Sequence, residues 1–216
     1  MSNETKKKSW AQQGFDGTKK EEERLATMYG PNRVWLKPGT SQEFVFVDDT
    51  PFCFYEHNPK IDGSWKNWIT CLKDVSDGEV PCCEILGQNS RYYVGYLTVI
   101  DMSKWTDKKG NVHQYEVKLL PAKLKTLKKF KRKKEERGSL VGCIYRATRE
   151  DDKSANVGDE FEFVKEADLA KVFDVANYKG TKLAEMYGKA METPEQMAIL
   201  QKIFTVPIVD GKILPK

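Results

Sequence analysis

Long apolar runs are missing from this chain. No stretch of about 18 apolar residues exists, which excludes a membrane-spanning helix. The first residues, MSNETKKKSWAQQG, lack an apolar h-region and so read as no secretory leader. Histidine is scarce, with only His57 and His113. A Gly-rich phosphate loop ending in Lys-Ser or Lys-Thr, a Gly-x-Ser-x-Gly elbow and a His-Glu-x-x-His helix are all absent, so these hydrolytic machineries have no footing. There is no internal repeat and no Gly/Ser linker. Cysteine is odd in number, at Cys53, Cys71, Cys82, Cys83 and Cys143. Without a leader, that count fits a reducing compartment in which thiols are free or bound to metal.

What is present suffices for a folded domain. Hydrophobic residues make up 39% of the 216 and aromatics 11%. A charged fraction of 31% and a mean hydropathy of −0.63 point to a soluble protein. The net charge of +4 is modest, and the signal lies in its distribution. Between Leu119 and Arg137 the chain reads LLPAKLKTLKKFKRKKEER, with nine Lys or Arg against two Glu. Aromatic-rich sequence precedes it. Cations for phosphates beside rings for bases are the ingredients of a single-stranded nucleic-acid surface.

Periodicity divides the chain. Residues 1–17 are polar and Lys-rich and read as a flexible tail, in which Lys6, Lys7 and Lys8 are available to phosphates. Thr18–Tyr29 reads as a short helix with a Thr18/Glu21 capping box and a Gly30-Pro31 stop. From Arg33 the period becomes two. Strands are expected over Glu43–Val47, Phe52–His57, Trp65–Cys71, Arg91–Ile100 and His113–Leu120, with turns at Pro59–Gly63, Asp74–Gly78 and Thr106–Asn111. The basic run has helical spacing. Pro121 suits a first helical position, Leu120, Leu124 and Leu127 lie on one side near Phe130, and Gly138 is the stop. Further strands are expected in Ser139–Arg149 and Glu160–Val164, then helices at Ala167–Phe173, Thr181–Met191 and from Thr193 to about Phe204. The expected class is mainly β with flanking helices (α+β), an OB-type antiparallel barrel with the basic helix between strands. The domain division is a tail over 1–17, the binding domain over 18–173 and a helical appendage over 174–216.

The rings divide between core and surface. In Phe52-Cys53-Phe54-Tyr55, alternation puts the two Phe on one face, assigned to the core, and Cys53, Tyr55 and His57 on the other. Trp65 and Trp68 flank Lys66 and Asn67 near a turn, a good place for stacking on bases. His57, Cys71, Cys82 and Cys83 are ligand types suited to zinc. Their spacing is poor, because adjacent cysteines in an extended segment point apart, and free thiols are the alternative. Cys53 and Cys143 sit among apolar residues and read as core. The acidic groups Asp48-Asp49, Glu150-Asp151-Asp152 and Asp159-Glu160 are candidate nuclease carboxylates, and they lie at strand ends or in loops, where acids commonly solvate turns.

Four blocks in one order carry a family resemblance: PFCFYEHN (Pro51–Asn58), YVGYLTVID (Tyr93–Asp101), LLPAKLKTLKKFKRKKEERGSLVGC (Leu119–Cys143) and VGDEFEFV (Val157–Val164). Together they resemble the single-stranded DNA-binding proteins of tailed bacteriophages over roughly Trp35–Leu169. The resemblance implies an OB-fold that coats single-stranded DNA during phage replication, in the cytoplasm of an infected bacterial host, beside other replication proteins. Two features depart from that family. Val80-Pro81-Cys82-Cys83 has Val80 where a Cys-Pro-x-Cys pair has its first cysteine, and the chain closes on Lys212–Lys216 where such proteins tend to be acidic.

The resulting expectation is a non-catalytic, largely sequence-independent single-strand binder. Phosphates fall to Lys37, Lys123, Lys125, Lys128, Lys131, Arg132 and Arg146. Bases fall to a subset of Trp35, Tyr55, Trp65, Trp68, Tyr93 and Trp105. No cofactor is required, with zinc on His57, Cys71, Cys82 and Cys83 as the open alternative. Duplex DNA remains a second candidate ligand. The competing readings are a metal-dependent nuclease or repair enzyme, and an adaptor whose basic helix binds acidic protein segments.

Overall fold

The computed structural model describes residues 32–58, 60–61, 64–65, 69–74, 82–86, 91–106, 110–191, 208–209 and 212–213. The expected tail, the helix at Thr18–Tyr29 and the one after Thr193 lie outside the described residues. No described helix is long and apolar enough to cross a membrane.

The protein is mainly β with a few short helices. Strands β1 (Thr40–Phe46), β2 (Phe52–His57), β3 (Lys60–Ile61), β4 (Ser64–Trp65) and β5 (Ile69–Thr70) are followed by helix α1 (Cys82–Leu86). Then come β6 (Arg91–Thr106), β7 (Val112–Lys123), helix α2 (Leu124–Arg137), β8 (Cys143–Arg149), β9 (Glu160–Glu166), α3 (Leu169–Val175) and α4 (Leu183–Met191). β3 and β4 pair with each other, as do the late β10 (Ile208–Val209) and β11 (Lys212–Ile213). The described parts of the strand expected over Trp65–Cys71 therefore have different partners, β3 for one and β2 for the other.

The main sheet has seven strands in the order β5-β2-β6-β1-β8-β9, with β7 also on β6. Long β6 organises it. One of its edges takes β2 along Arg91–Tyr96 and β1 along Val99–Asp101, and its other edge takes β7. All seven strands run antiparallel to their partners. Among the described residues the sheet ends at β5, β7 and β9, and β7 and β9 do not pair, so the sheet is open where a closed barrel was expected.

Both faces of β6 are covered, which is why Val94–Asp101 is buried without interruption. On one face Phe44, Phe46, Leu97, Val99, Tyr145 and Phe161 enclose Phe130 of α2. Phe130 meets Phe46 at 5.1 Å and Phe161 at 4.7 Å, both edge to face. On the other face Val45, Ile100 and Ile144 pack beneath α3 and Tyr178. Val94, Tyr96, Phe52 and Phe54 pack beneath Ala184 and Tyr187 of α4. The Phe52/Phe54 pair thus shares one face, as alternation requires, but both side chains are half-buried against this cluster where core positions were expected.

The basic helix starts later than Pro121. Pro121 is a β7 residue opposite Tyr96, and α2 begins at Leu124 after Lys123. The outer edge of β7 explains this. Val34 donates its N–H to the Leu119 carbonyl at 2.7 Å on that edge, and alternation turns the Pro121 nitrogen the same way, away from β6. Proline costs the ladder nothing there. The apolar side of α2 also differs: Thr126 and Phe130 are buried and Leu127 half-buried, while Leu124 is exposed. Gly138 ends the helix with φ of 81°, a left-handed conformation that glycine adopts without strain.

Candidate nucleic-acid interface and metal cluster

Alternation on β2 and β6 builds an aromatic platform. Tyr55 lies opposite Tyr93 and Cys53 opposite Gly95, all on the face that carries α2. The two tyrosine rings meet edge to face at 5.4 Å, and Tyr93 is exposed. Gly95 permits the close approach of the helix, since a Cβ there would stand 2.8 Å from Leu127 and 2.9 Å from Cys53. Beside this contact a cavity of about 680 Å³ opens between α2 and the segment Asp49–Pro51. Cys53, Tyr93, Leu97, Leu127, Phe130 and Leu140 form much of its wall. Cys53, expected as core, is half-buried and lines this cavity. The volume falls in the range of roughly 300–1,000 Å³ found for sites that enclose small ligands.

Lys128, Lys131 and Lys134 stand around the opening. Lys134 is tied down: it pairs with Asp49 at 3.1 Å, and Ser139 also donates to that carboxylate. Burial opposes ionisation of Asp49, yet the Lys134 and Ser139 bonds hold its pKa below the ordinary value. Lys131 makes an exposed pair with Glu135 at 3.8 Å, and Lys128 has no ion pair among the described residues. Lys128 is therefore open to a ligand anion, and the Lys131 pair, solvent-exposed on both sides, is weak enough to give way to one.

Of the expected site residues, Tyr55, Tyr93, Lys128 and Lys131 come together here. The others do not. Lys123 ends β7 with its ammonium over the Tyr92 ring at 4.6 Å, and Lys125 is exposed outside the cavity wall. Arg132 pairs with Glu136 at 3.7 Å and borders a separate, smaller depression with Lys129 and Glu162. Arg146 is held between Glu43 at 2.8 Å and Glu162 at 3.3 Å, so its charge is already matched. Trp35 is exposed near Arg149, and Lys37 is exposed beside it in sequence. Trp105 stacks on His113 at 4.1 Å toward the end of the β6–β7 hairpin. None of these lines the cavity. The Trp65 side chain and all of Trp68 lie outside what is described.

The carboxylates considered for nuclease chemistry have local roles. Asp48 is buried and accepts from the Thr98 N–H at 3.0 Å, and burial pushes its pKa up to about 6. Asp151 accepts from the Lys153 and Ser154 amides, both at 2.8 Å, and shapes its turn. The Asp159 carboxylate accepts from the Ser154 hydroxyl at 3.2 Å, within the same turn.

A second cluster adjoins the platform. His57, Cys71, Cys82 and Cys83 are all buried, and their ligand atoms lie within 4.8 Å of one another. Cys71 Sγ is 3.8 Å from Cys82 Sγ and 3.4 Å from Cys83 Sγ, while Cys83 Sγ is 3.9 Å from His57 Nε2. In a tetrahedral zinc site with metal–sulfur bonds of ~2.3 Å, the ligand atoms stand roughly 3.7 Å apart. One imidazole and three thiols at these separations fit such an ion. The expected obstacle was adjacent cysteines pointing apart in an extended segment. Cys82 and Cys83 instead open helix α1, where successive side chains are about 100° apart and both reach the same centre. His57 and Cys71 arrive from paired strands, with Cys71 N–H donating to the Tyr55 carbonyl at 2.8 Å. Burial first, then the Cys71 thiol, pushes the Cys83 pKa up to about 12.

Arg91 escaped the sequence reading. It lies opposite His57 on the β2–β6 ladder, and its guanidinium stands 4.1 Å over the Tyr55 ring. The only hint in sequence was a cation opening an aromatic strand. Compared with known proteins, the chain matches no family and no curated relative.

Proposed function

We propose that the protein holds single-stranded DNA without transforming it, on an OB-type sheet, with unpaired bases entering the cleft at Tyr93 and phosphates resting on Lys128 and Lys131. One observation carries this reading: an exposed tyrosine platform, an apolar cavity and two exposed lysines, Lys128 and the weakly paired Lys131, share a single opening. Bases in a duplex keep their rings stacked, so a cavity that demands a free ring favours single strands. The strand connectivity supports the OB reading. β1 is shared between β6 and β8, and the helix falls between β7 and β8. The local roles of Asp48, Asp151 and Asp159 weigh against the nuclease reading.

The same proposal gives His57, Cys71, Cys82 and Cys83 a structural zinc-type ion. All four positions of a tetrahedral shell are protein ligands, which leaves no place for a reacting water. The ion would bind α1 to β2 and to the residue that follows β5, and so brace the platform from its side.

The test is titration of the full chain with fluorescent oligothymidine at two salt concentrations. Affinity should fall steeply as salt rises and be nearly independent of base composition. Failure to bind at low salt, or indifference to salt, would overturn the reading. Incubation of plasmid or single-stranded substrate with magnesium or manganese tests the alternative, which cleavage would revive.

A further inference from the structure

Arg91 makes contacts in two directions. Toward the cluster, Nη1 lies 3.8 Å from Cys71 Sγ, and the residue faces His57 across the ladder. Toward the platform, the guanidinium covers Tyr55, whose ring in turn meets Tyr93 edge to face. Asp74 takes the same Nη1 through both carboxylate oxygens, at 3.0 and 3.2 Å. Asp74 is half exposed, so this bond steadies the arginine without competing strongly in water.

From this geometry we infer that Arg91 is a positioning residue that joins the metal cluster to the base platform, so that metal occupancy governs the affinity for single-stranded DNA. The inference rests on the proposed function and adds the way that site is controlled.

The physical reason lies in the charge on Cys71. A metal binds the thiolate, and an N–H donated to a thiolate by a guanidinium is charge-assisted, hence stronger and better fixed than one donated to a thiol. Groups that bond a metal's ligands orient the ligands, and are oriented by them. With the ion bound, Arg91 is pinned at Cys71 and at Asp74. Its plane is then fixed over Tyr55, and Tyr55 holds the edge of Tyr93. When the ion leaves, Cys71 is no longer held in place, and Arg91 keeps only the exposed Asp74 bond and its contact with the Tyr55 ring. The guanidinium then swings, and two rings lose a shared orientation that base stacking needs. A lysine cannot substitute, because a point ammonium has no planar fork to span sulfur, carboxylate and ring together.

The experiment compares wild type, Arg91→Lys and Tyr55→Leu as full chains, each with saturating cobalt and each stripped by chelator under reducing conditions. Two signals are read: the visible absorption of tetrahedral cobalt–thiolate, and oligothymidine affinity by anisotropy. Wild type should lose about ten-fold in affinity on stripping. Arg91→Lys should take up cobalt with the same tetrahedral spectrum, with metal affinity reduced roughly ten-fold. Its loaded form should bind DNA no better than stripped wild type, and stripping should then change its affinity less than about two-fold. Tyr55→Leu keeps every ligand and Arg91, and should likewise lose the metal dependence. A residue that merely stabilised the fold would weaken loaded and stripped forms by one factor and preserve their ratio. A wild-type ratio in either variant overturns the inference. Oligothymidine binding by wild type without cobalt uptake would remove the metal site, and cobalt uptake without binding would remove the DNA reading. Arg91's role would fall with either.

Discussion

Arg146 donates to Glu43 at 2.8 Å across the β1–β8 ladder, and the same guanidinium reaches Glu162 at 3.3 Å. A cation so placed has little left for a phosphate. Its local surroundings in sequence, Ile144-Tyr145-Arg146-Ala147, contain no acid, and the neutralising carboxylates come from β1 and β9.

Charge substitutions should therefore sort by position. Lys128→Gln and Lys131→Gln should each weaken oligothymidine binding at low salt and flatten the slope of log affinity against log salt by about 0.7. Arg146→Gln should leave the slope unchanged and cost little stability, as exposed ion pairs do. Salt-dependent anisotropy titrations check both. A slope change for Arg146→Gln equal to that for Lys128→Gln would contradict the assignment.

Tyr93 carries the stacking surface. Tyr93→Ala should cost ~1–3 kcal/mol of binding, the usual worth of one base–ring stack, with little loss of fold stability because the ring is exposed. Trp105→Ala, outside the cavity wall, should bind within about two-fold of wild type, a small fraction of what one such stack contributes. Equal losses at both positions in parallel titrations would move the site away from α2.

Metal removal should destabilise the chain around His57, Cys71, Cys82 and Cys83. Cys83→Ser should abolish tetrahedral cobalt absorption and lower the melting temperature to that of the chelated wild type. Because burial, and then the Cys71 thiol, push the Cys83 pKa up to about 12, metal binding must expel protons, and apparent metal affinity should rise with pH. Cobalt titrations at about pH 6 and about pH 8 read this directly.

Asp48 sets a pH dependence of the opposite sense to a salt-bridged carboxylate. Its pKa rises on folding from 3.8 to about 6, so the native state binds the extra proton. Its contribution is fully favourable below about pH 4 and is lost as pH rises through 6. Asp48→Asn should remove that decline and raise stability at pH 7 by about 2–3 kcal/mol, read from urea unfolding at pH 4.5 and pH 7. An unchanged pH profile would show that Asp48 does not titrate as its burial predicts.

Gly188 tests the docking of α4. A Cβ there would stand 2.0 Å from the Phe52 ring, far inside contact distance. Gly188→Ala should destabilise the fold by ~1–3 kcal/mol through overpacking, despite alanine's better helix propensity. A calorimetric melt at or above wild type would mean that the ring yields freely.

Local order was legible in the sequence because it depends on neighbours. Period-two patterning located β2, β6 and β7, assigned Phe52 and Phe54 to one face and Tyr55 to the other, and marked Gly138 as the end of the basic helix. Helical periodicity located α2 but misplaced its start, since Pro121 is tolerated in β7 only because an outer edge needs no donor. Chemistry that depends on distant partners was not legible. Cys82 and Cys83 converge with His57 and Cys71 only after β2 pairs with β5 and α1 turns both thiols inward. Arg146 has its charge matched by acids on other strands, and Arg91 gains its position from a ladder. Short-range pattern decides which face a residue takes. Pairing across the sheet, between residues far apart in the chain, decides what that face meets, and so which cations stay free, which thiols meet and where a base can enter.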